Sequence, residues 1–116
     1  YVKQREAFGR PIGKFQVIRH KLVDMATEVE IAREFTYRVA AKMQANQTPI
    51  KEMAMAKNFA TDVAERTTRE AVQIFGGMGY MQESVVERLY RDAKILSIGG
   101  GTTEVMKEMI AKQMKL

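Results

Sequence analysis

The sequence predicts an all-α protein, an antiparallel helical bundle of the four-helix type, on three observations. Apolar residues recur at alternating spacings of three and four over two long stretches. No stretch alternates with period two for long enough to make a strand. Glycine and proline fall between the periodic stretches and rarely within them.

The first long stretch carries Phe15, Ile18, Leu22, Met25, Val29, Ala32, Val39 and Met43, one face of a helix interrupted only at Thr36. Asn46-Gln47-Thr48-Pro49 separates it from the second, with Thr48 predicted as N-cap and Pro49 at the first helical position. That second helix presents Met53, Ala56, Ala60, Val63, Thr67, Ala71 and Ile74, and its small residues let a neighbouring helix approach closely. Gly76-Gly77 ends it. Ser84-Val85-Val86-Glu87 has the form of a capping box and opens a short helix reaching Tyr90 to Lys94. Ile98 to Gly101 is a loop, and Thr102 caps a last helix bearing Val105, Met109, Ile110 and Met114. Upstream, Tyr1 to Arg5 has helical character without a cap, broken by Gly9-Arg10-Pro11-Ile12-Gly13. It reads as a helix cut in mid-course, so the chain is expected to be part of a longer polypeptide. That first segment and the last helix are expected to complete the walls of a core rich in the nine methionines.

Composition narrows the function. A chain of 116 residues fits one domain able to bury roughly two thirds of its unfolded surface. With no cysteine and one histidine, His20, neither a thiolate metal site nor a paired-histidine zinc site is possible, and no metal is expected. His20 itself reads as a packed or solvated side chain. No apolar run approaches the ~20 residues of a membrane span. The net charge of +5 is spread along the chain among Glu and Asp, without interleaved aromatics, which argues against a nucleic-acid partner. A mild positive excess suits a phosphate-bearing ligand equally well.

Three glycine-containing segments stand out: Arg5-Glu6-Ala7-Phe8-Gly9 with Phe15-Gln16, Gln73-Ile74-Phe75-Gly76-Gly77-Met78-Gly79-Tyr80, and Ile98-Gly99-Gly100-Gly101-Thr102-Thr103-Glu104-Val105. A guanidinium grips phosphate oxygens by paired charged bonds. Paired glycines leave backbone bare for a ligand, and a helix start offers free N–H groups. Gly77-Met78-Gly79 is no Rossmann fingerprint, for no strand precedes it and the third glycine is missing.

In order and spacing these segments, with Tyr90-Arg91-Asp92-Ala93-Lys94-Ile95, resemble the C-terminal domain of the acyl-CoA dehydrogenase family over essentially the whole chain. The resemblance implies that Arg5, Phe8, Gln16, Gln73, Gly76, Gly77, Thr102 and Glu104 contact FAD. The Arg5 and Gln73-Gly76-Gly77 contacts would be made across a subunit interface. Gly101 would lie beside an acyl-CoA thioester. The Arg91-Asp92 pair reads as structural. Ala7 replaces a threonine common in the family, and Val85 a proline.

The resemblance aligns Gly100 with the position where many members carry a catalytic glutamate, so no catalytic residue is expected within this chain. In the long-chain and isovaleryl branches a glutamate from an earlier helix serves as base, and Gly100 to Glu108 looks most like the long-chain type. The resemblance thus implies a flavin-dependent oxidation of acyl-CoA to trans-2-enoyl-CoA with the base upstream. It also implies a homodimer or homotetramer, an electron-transfer flavoprotein as electron acceptor, and a bacterial cytoplasmic or mitochondrial matrix location. An acyl-CoA oxidase, or a helical interaction module that has lost the chemistry, remains open at this point.

Overall fold

A computed structural model describes residues 1–116. The chain folds as five helices: α1 (Gln16–Gln44), α2 (Ile50–Phe75), α3 (Gly77–Tyr80), α4 (Val85–Ala93) and α5 (Thr103–Met114). A two-stranded hairpin, β1 (Glu6–Ala7) with β2 (Arg10–Pro11), precedes them. Single 3₁₀ turns lie at Ile12–Lys14 and Lys94–Ser97. The all-α architecture is the predicted one. Its centre is α2, which packs against α1 on one side and against α4 and α5 on the other. This two-sided packing explains why Ala54 and Thr61 are buried along with the predicted Ala56 and Val63.

Four local expectations are corrected. Tyr1 to Arg5 forms a single turn where helical character was expected, closed by bonds from the Gln4 and Arg5 N–H groups to the Tyr1 carbonyl. The chain then reverses through Phe8-Gly9, whose φ values of 52° and 75° make the primed two-residue turn that matches strand twist. Strands of two residues carry no readable periodicity, and Phe-Gly is not a common hairpin signal. Second, Pro49 itself holds the cap position of α2 with ψ 64°, and the Thr48 side chain makes no cap bond. Third, Ser84 stands at the cap of α4 but the reciprocal box does not form. Glu87 instead takes two bonds from Arg91, at 2.5 and 3.3 Å, and a charged partner one turn on outcompetes a neutral backbone donor. Fourth, the core is made of alanine and valine. No methionine is buried, and six of the nine are exposed. The remaining predicted boundaries stand: α2 stops at the glycine pair, and the Val105 N–H donates to Thr102 Oγ1 at 3.3 Å.

The methionines are uncovered because the faces that carry them have no partner within the chain. The accessible surface is 8496 Å², against ~6,400 Å² for a compact monomer of this mass. The radius of gyration is 17.4 Å, against ~13 Å. The excess of surface is apolar in part, including Val17, Val23, Ile31 and Tyr37 along α1.

Ion pairs tie the neighbours of α2 to it: Lys21–Glu70 at 2.6 Å, Lys42–Glu52 at 2.9 Å, Arg66–Glu28 at 2.9 Å and Lys94–Glu65 at 3.3 Å. Hydrogen bonds from Lys42 and Lys21 hold the Glu52 and Glu70 carboxyls below their ordinary value of 4.5. Ser97, and then Lys94, does the same for Glu65. A carboxyl more acidic in the folded state stabilises it above the unfolded value, and that stabilisation is lost as pH falls through the folded value. The melting temperature is therefore expected to hold above pH 4.5 and to decline below it. Glu70→Gln should remove part of that decline in a pH series of thermal melts.

One glycine is fixed by packing. A Cβ at Gly79 would stand 2.5 Å from the Val72 carbonyl oxygen and 2.9 Å from Phe75 Cβ, so α3 lies directly on the last turns of α2. Gly79→Ala should cost about 1–3 kcal/mol, read in urea as a lower midpoint with unchanged slope.

Candidate functional site

The predicted residues fall into two groups, one at the C-terminal end of α2 and the other beside its N-terminal half. At its C-terminal end the Tyr1 ring stacks on Phe75, with centroids 4.1 Å apart, and its hydroxyl donates to the Phe75 carbonyl at 3.2 Å. Val2 holds the following turn by accepting from the Gly13 N–H at 2.8 Å. These contacts bring the hairpin bearing Arg5 and Phe8, and the start of α1 at Gln16, to the end of the bundle where Gln73, Gly76 and Gly77 lie.

The surface there is left open. Gly76 has φ +59° and ψ −138°, a conformation that glycine alone adopts readily, and a Cβ at either Gly76 or Gly77 would meet nothing within 4 Å. Gly77 begins α3 with neither a crowded Cβ position nor a positive φ. No packing within the chain requires it to be glycine, so its bare backbone is available to a ligand. Gln73 is exposed. Arg5 is exposed and pairs with no carboxylate of the chain.

Phe8 is 95% exposed at φ +52°, a strained place for a bulky residue. Its ring meets Phe15 edge-on at 6.2 Å, and the Arg10 guanidinium covers the Phe15 ring at 4.2 Å. Arg10 was not singled out by the sequence; it pairs with Ala7 across the hairpin and brings a second cation to this end. Gln16 Nε2 lies 3.4 Å from His20 Nε2 on the first turn of α1.

The second group sits beside the N-terminal half of α2. Lys57 Nζ donates to the Gly101 carbonyl at 2.6 Å and Asn58 Nδ2 to the Thr103 carbonyl at 3.1 Å. These contacts fasten the loop that carries Gly100, Gly101 and Thr102. Neither residue was anticipated, because their partners lie more than forty positions away along the chain. Gly100 and Gly101 have φ of +68° and +104°. The direction of Gly100 is open, while a Cβ at Gly101 would strike the tip of the Met106 side chain at 2.2 Å.

Beside the loop a groove of about 670 Å³ runs between α2 and α5, lined by Phe59, Glu65, Lys94, Thr102, Glu104 and Lys107 among others. The Glu104 carboxyl is held below its ordinary value by its own backbone N–H first and by the Thr102 hydroxyl second.

The two groups are separated by the stretch of α2 from Lys57 to Phe75, whose eighteen steps span ~27 Å of helix. One chain thus holds the two groups of candidate residues apart.

Residues 1–115 match the family model of the acyl-CoA dehydrogenase C-terminal domain. An acyl-CoA dehydrogenase of Bacillus subtilis is 47% identical over 114 residues, covering 98% of this chain and 30% of that protein. The short-chain specific mitochondrial enzyme of Homo sapiens is 49% identical over 112 residues, covering 96% of this chain and 27% of that protein. The solved butyryl-CoA dehydrogenase of Megasphaera elsdenii superposes with a TM-score of 0.97 at 46% identity, over 100% of this chain and 30% of that one. The chain spans about 30% of the length of these relatives. Glycine-bounded helices, one fold over the full length and the matched family model agree: the chain belongs to the acyl-CoA dehydrogenase family, as its C-terminal helical domain.

Proposed function

We propose that the 116 residues serve as the C-terminal domain of a longer, FAD-dependent acyl-CoA dehydrogenase, and that each copy contributes to two flavin sites. The observation that carries this reading is the pair of open surfaces, one at the C-terminal end of α2 and one beside its N-terminal half. Across a subunit interface, Arg5, Phe8, Gln16, Gln73, Gly76 and Gly77 of one chain face the dinucleotide held by a second chain. Thr102 and Glu104 hold the FAD of their own chain, and Gly101 lies beside the thioester.

The residues suit the cofactor. Arg5 is an unpaired cation for a pyrophosphate, and Gly76-Gly77 is a flat stretch of backbone with no Cβ in the way. The solved FAD complex of PigA, 32% identical with a TM-score of 0.94, supports the flavin assignment. Bound FAD supplies the acceptor for the hydride leaving the β-carbon. This chain's part is to bind, to orient and to keep the loop beside the acyl chain in place. Gly100 has no group to accept the α-proton, so the base is a carboxylate from outside the chain. The products are trans-2-enoyl-CoA and reduced flavin, and electrons leave to an electron-transfer flavoprotein. A chain in the solved electron transferring flavoprotein of Acidaminococcus fermentans, 44% identical to this one, supports that partner.

The apolar surface left open on α1, the methionine-bearing faces and the divided site support a homodimer or homotetramer as the working form. No helix is long and apolar enough to cross a membrane, and the relatives include bacterial and mitochondrial proteins. Those relatives support a location in the bacterial cytoplasm or the mitochondrial matrix.

The test is to purify the native product, weigh it and mix it anaerobically with acyl-CoAs of graded length. A polypeptide several times heavier than 13.2 kDa, yellow with FAD and bleached by one of the thioesters, is the expected result. A product of this size without flavin would leave a helical binding module in place of an enzyme.

A further inference from the structure

Lys57 is the one charged side chain that reaches the glycine loop from α2, and its ammonium is not paired with any carboxylate of the chain. It is a part-buried lysine whose bond goes to a backbone carbonyl, at 2.6 Å and 44 residues away in sequence. One residue on, Asn58 donates to the Thr103 carbonyl at 3.1 Å, leaving its own Oδ1 buried without a partner. One turn later Thr61 Oγ1 donates weakly to the Leu96 carbonyl at 3.5 Å. Three donors of one face of α2 thus hold three carbonyls that bracket Gly99, Gly100 and Gly101.

The loop needs such a clamp. Three successive glycines have the widest conformational freedom of any tripeptide, and two of these sit at positive φ. Fixing the Gly101 carbonyl on α2 also fixes the planar peptide that follows it. The Thr102 N–H, trans to that carbonyl, is thereby turned away from α2. Packing alone explains neither the choice of a cation nor the buried unsatisfied amide oxygen, whose desolvation is unfavourable.

We infer that Lys57, seconded by Asn58, is a positioning residue for the reaction: it holds the Gly99-Gly100-Gly101 loop in the conformation that faces the thioester. This rests on the reading under Proposed function for what the loop faces, but the clamp can be tested without it.

The experiment uses the complete flavoprotein with Lys57→Met, which keeps the apolar stem, and Lys57→Arg, which restores the charge. Two readouts are taken: hydrogen–deuterium exchange over residues 98–106, and steady-state kinetics with the best acyl-CoA. Lys57→Met is expected to speed exchange in the loop by ~10-fold or more, as a local opening, with α1 unchanged. It should lower kcat by ~100-fold with KM altered only a few-fold and FAD content intact, the size of loss that a misplaced reacting group brings. Lys57→Arg should recover most of both.

Unchanged exchange at 98–106 in Lys57→Met would overturn the clamp. Faster exchange with wild-type kcat would overturn the positioning role and leave a structural bond. A fall in kcat matched by equal loss of FAD, unrelieved in Lys57→Arg, would also overturn it. If the unmutated protein binds no FAD or is not reduced by any acyl-CoA, the functional reading fails and the positioning role falls with it; the exchange result still decides the clamp.

Discussion

Gly77→Val in the complete protein is expected to strip it of FAD while leaving it folded. A Cβ at Gly77 meets nothing within 4 Å in the chain, and the residue begins α3 without a positive φ. Valine therefore costs the fold little beyond its modest helix preference, about 0.5 kcal/mol. Its branched side chain would occupy the space in which the proposed dinucleotide lies against backbone, so the effect falls on binding. Displacement of a ligand from such a surface by overpacking and lost contacts should weaken it by about 3 kcal/mol or more, a factor of ~100 in Kd. Flavin absorbance after gel filtration and the melting temperature of the apoprotein separate the two quantities. Gly79→Ala makes the opposite case two residues on, because its Cβ would strike the Val72 carbonyl. Loss of fold at Gly77 with retention of FAD would reverse the assignment.

Gly100→Glu is expected to restore activity to a parent enzyme whose own base has been removed. Removing a general base typically costs 10²–10⁴-fold, roughly, in rate. The rescue should recover a measurable part of that loss. A Cβ at Gly100 would meet nothing within 4 Å, so a side chain can leave the backbone there. Its φ of +68° asks a non-glycine residue to sit in the left-handed region, at ~1–2 kcal/mol. The rescued enzyme should therefore be slower than the parent and slightly less stable. Single-turnover reduction of the flavin reads the proton-removal step directly. A double variant that binds FAD and substrate yet shows no reduction would mean that Gly100 does not face the α-carbon.

Much of this fold was legible because the apolar spacing runs for about eight turns in α1 and about six in α2, and tertiary contacts agree with it. Thr102 was legible as a cap since its hydroxyl oxygen can accept from the Val105 N–H while its own proton goes to the Glu104 carboxyl. Ser84 was misread for the converse reason, for Arg91 captures Glu87 before it can reach back to the cap. The hairpin escaped because two-residue strands have no period and a phenylalanine at positive φ is an unexpected turn residue. The methionine faces were assigned to a core that this chain does not close by itself. Of the candidate site, the motif residues could be named from the sequence, but not that α2 holds the two groups apart. Lys57 and Asn58 had no signal at all, since a side-chain bond to a backbone carbonyl leaves no pattern in residue types.

The claim that each chain serves two flavins is tested most directly by mixing two inactive variants. One is Gly77→Val; the other carries Thr102→Val with Lys57→Met, beside the N-terminal half of α2. Each alone is defective at every site, but a mixed dimer contains one site in which both contributing surfaces are intact. Co-expression followed by isolation of the hetero-oligomer should restore close to one active, FAD-bearing site per dimer. A mixed oligomer as empty and inactive as its parents would show that the two groups act on the same flavin within one chain, and the account would be wrong.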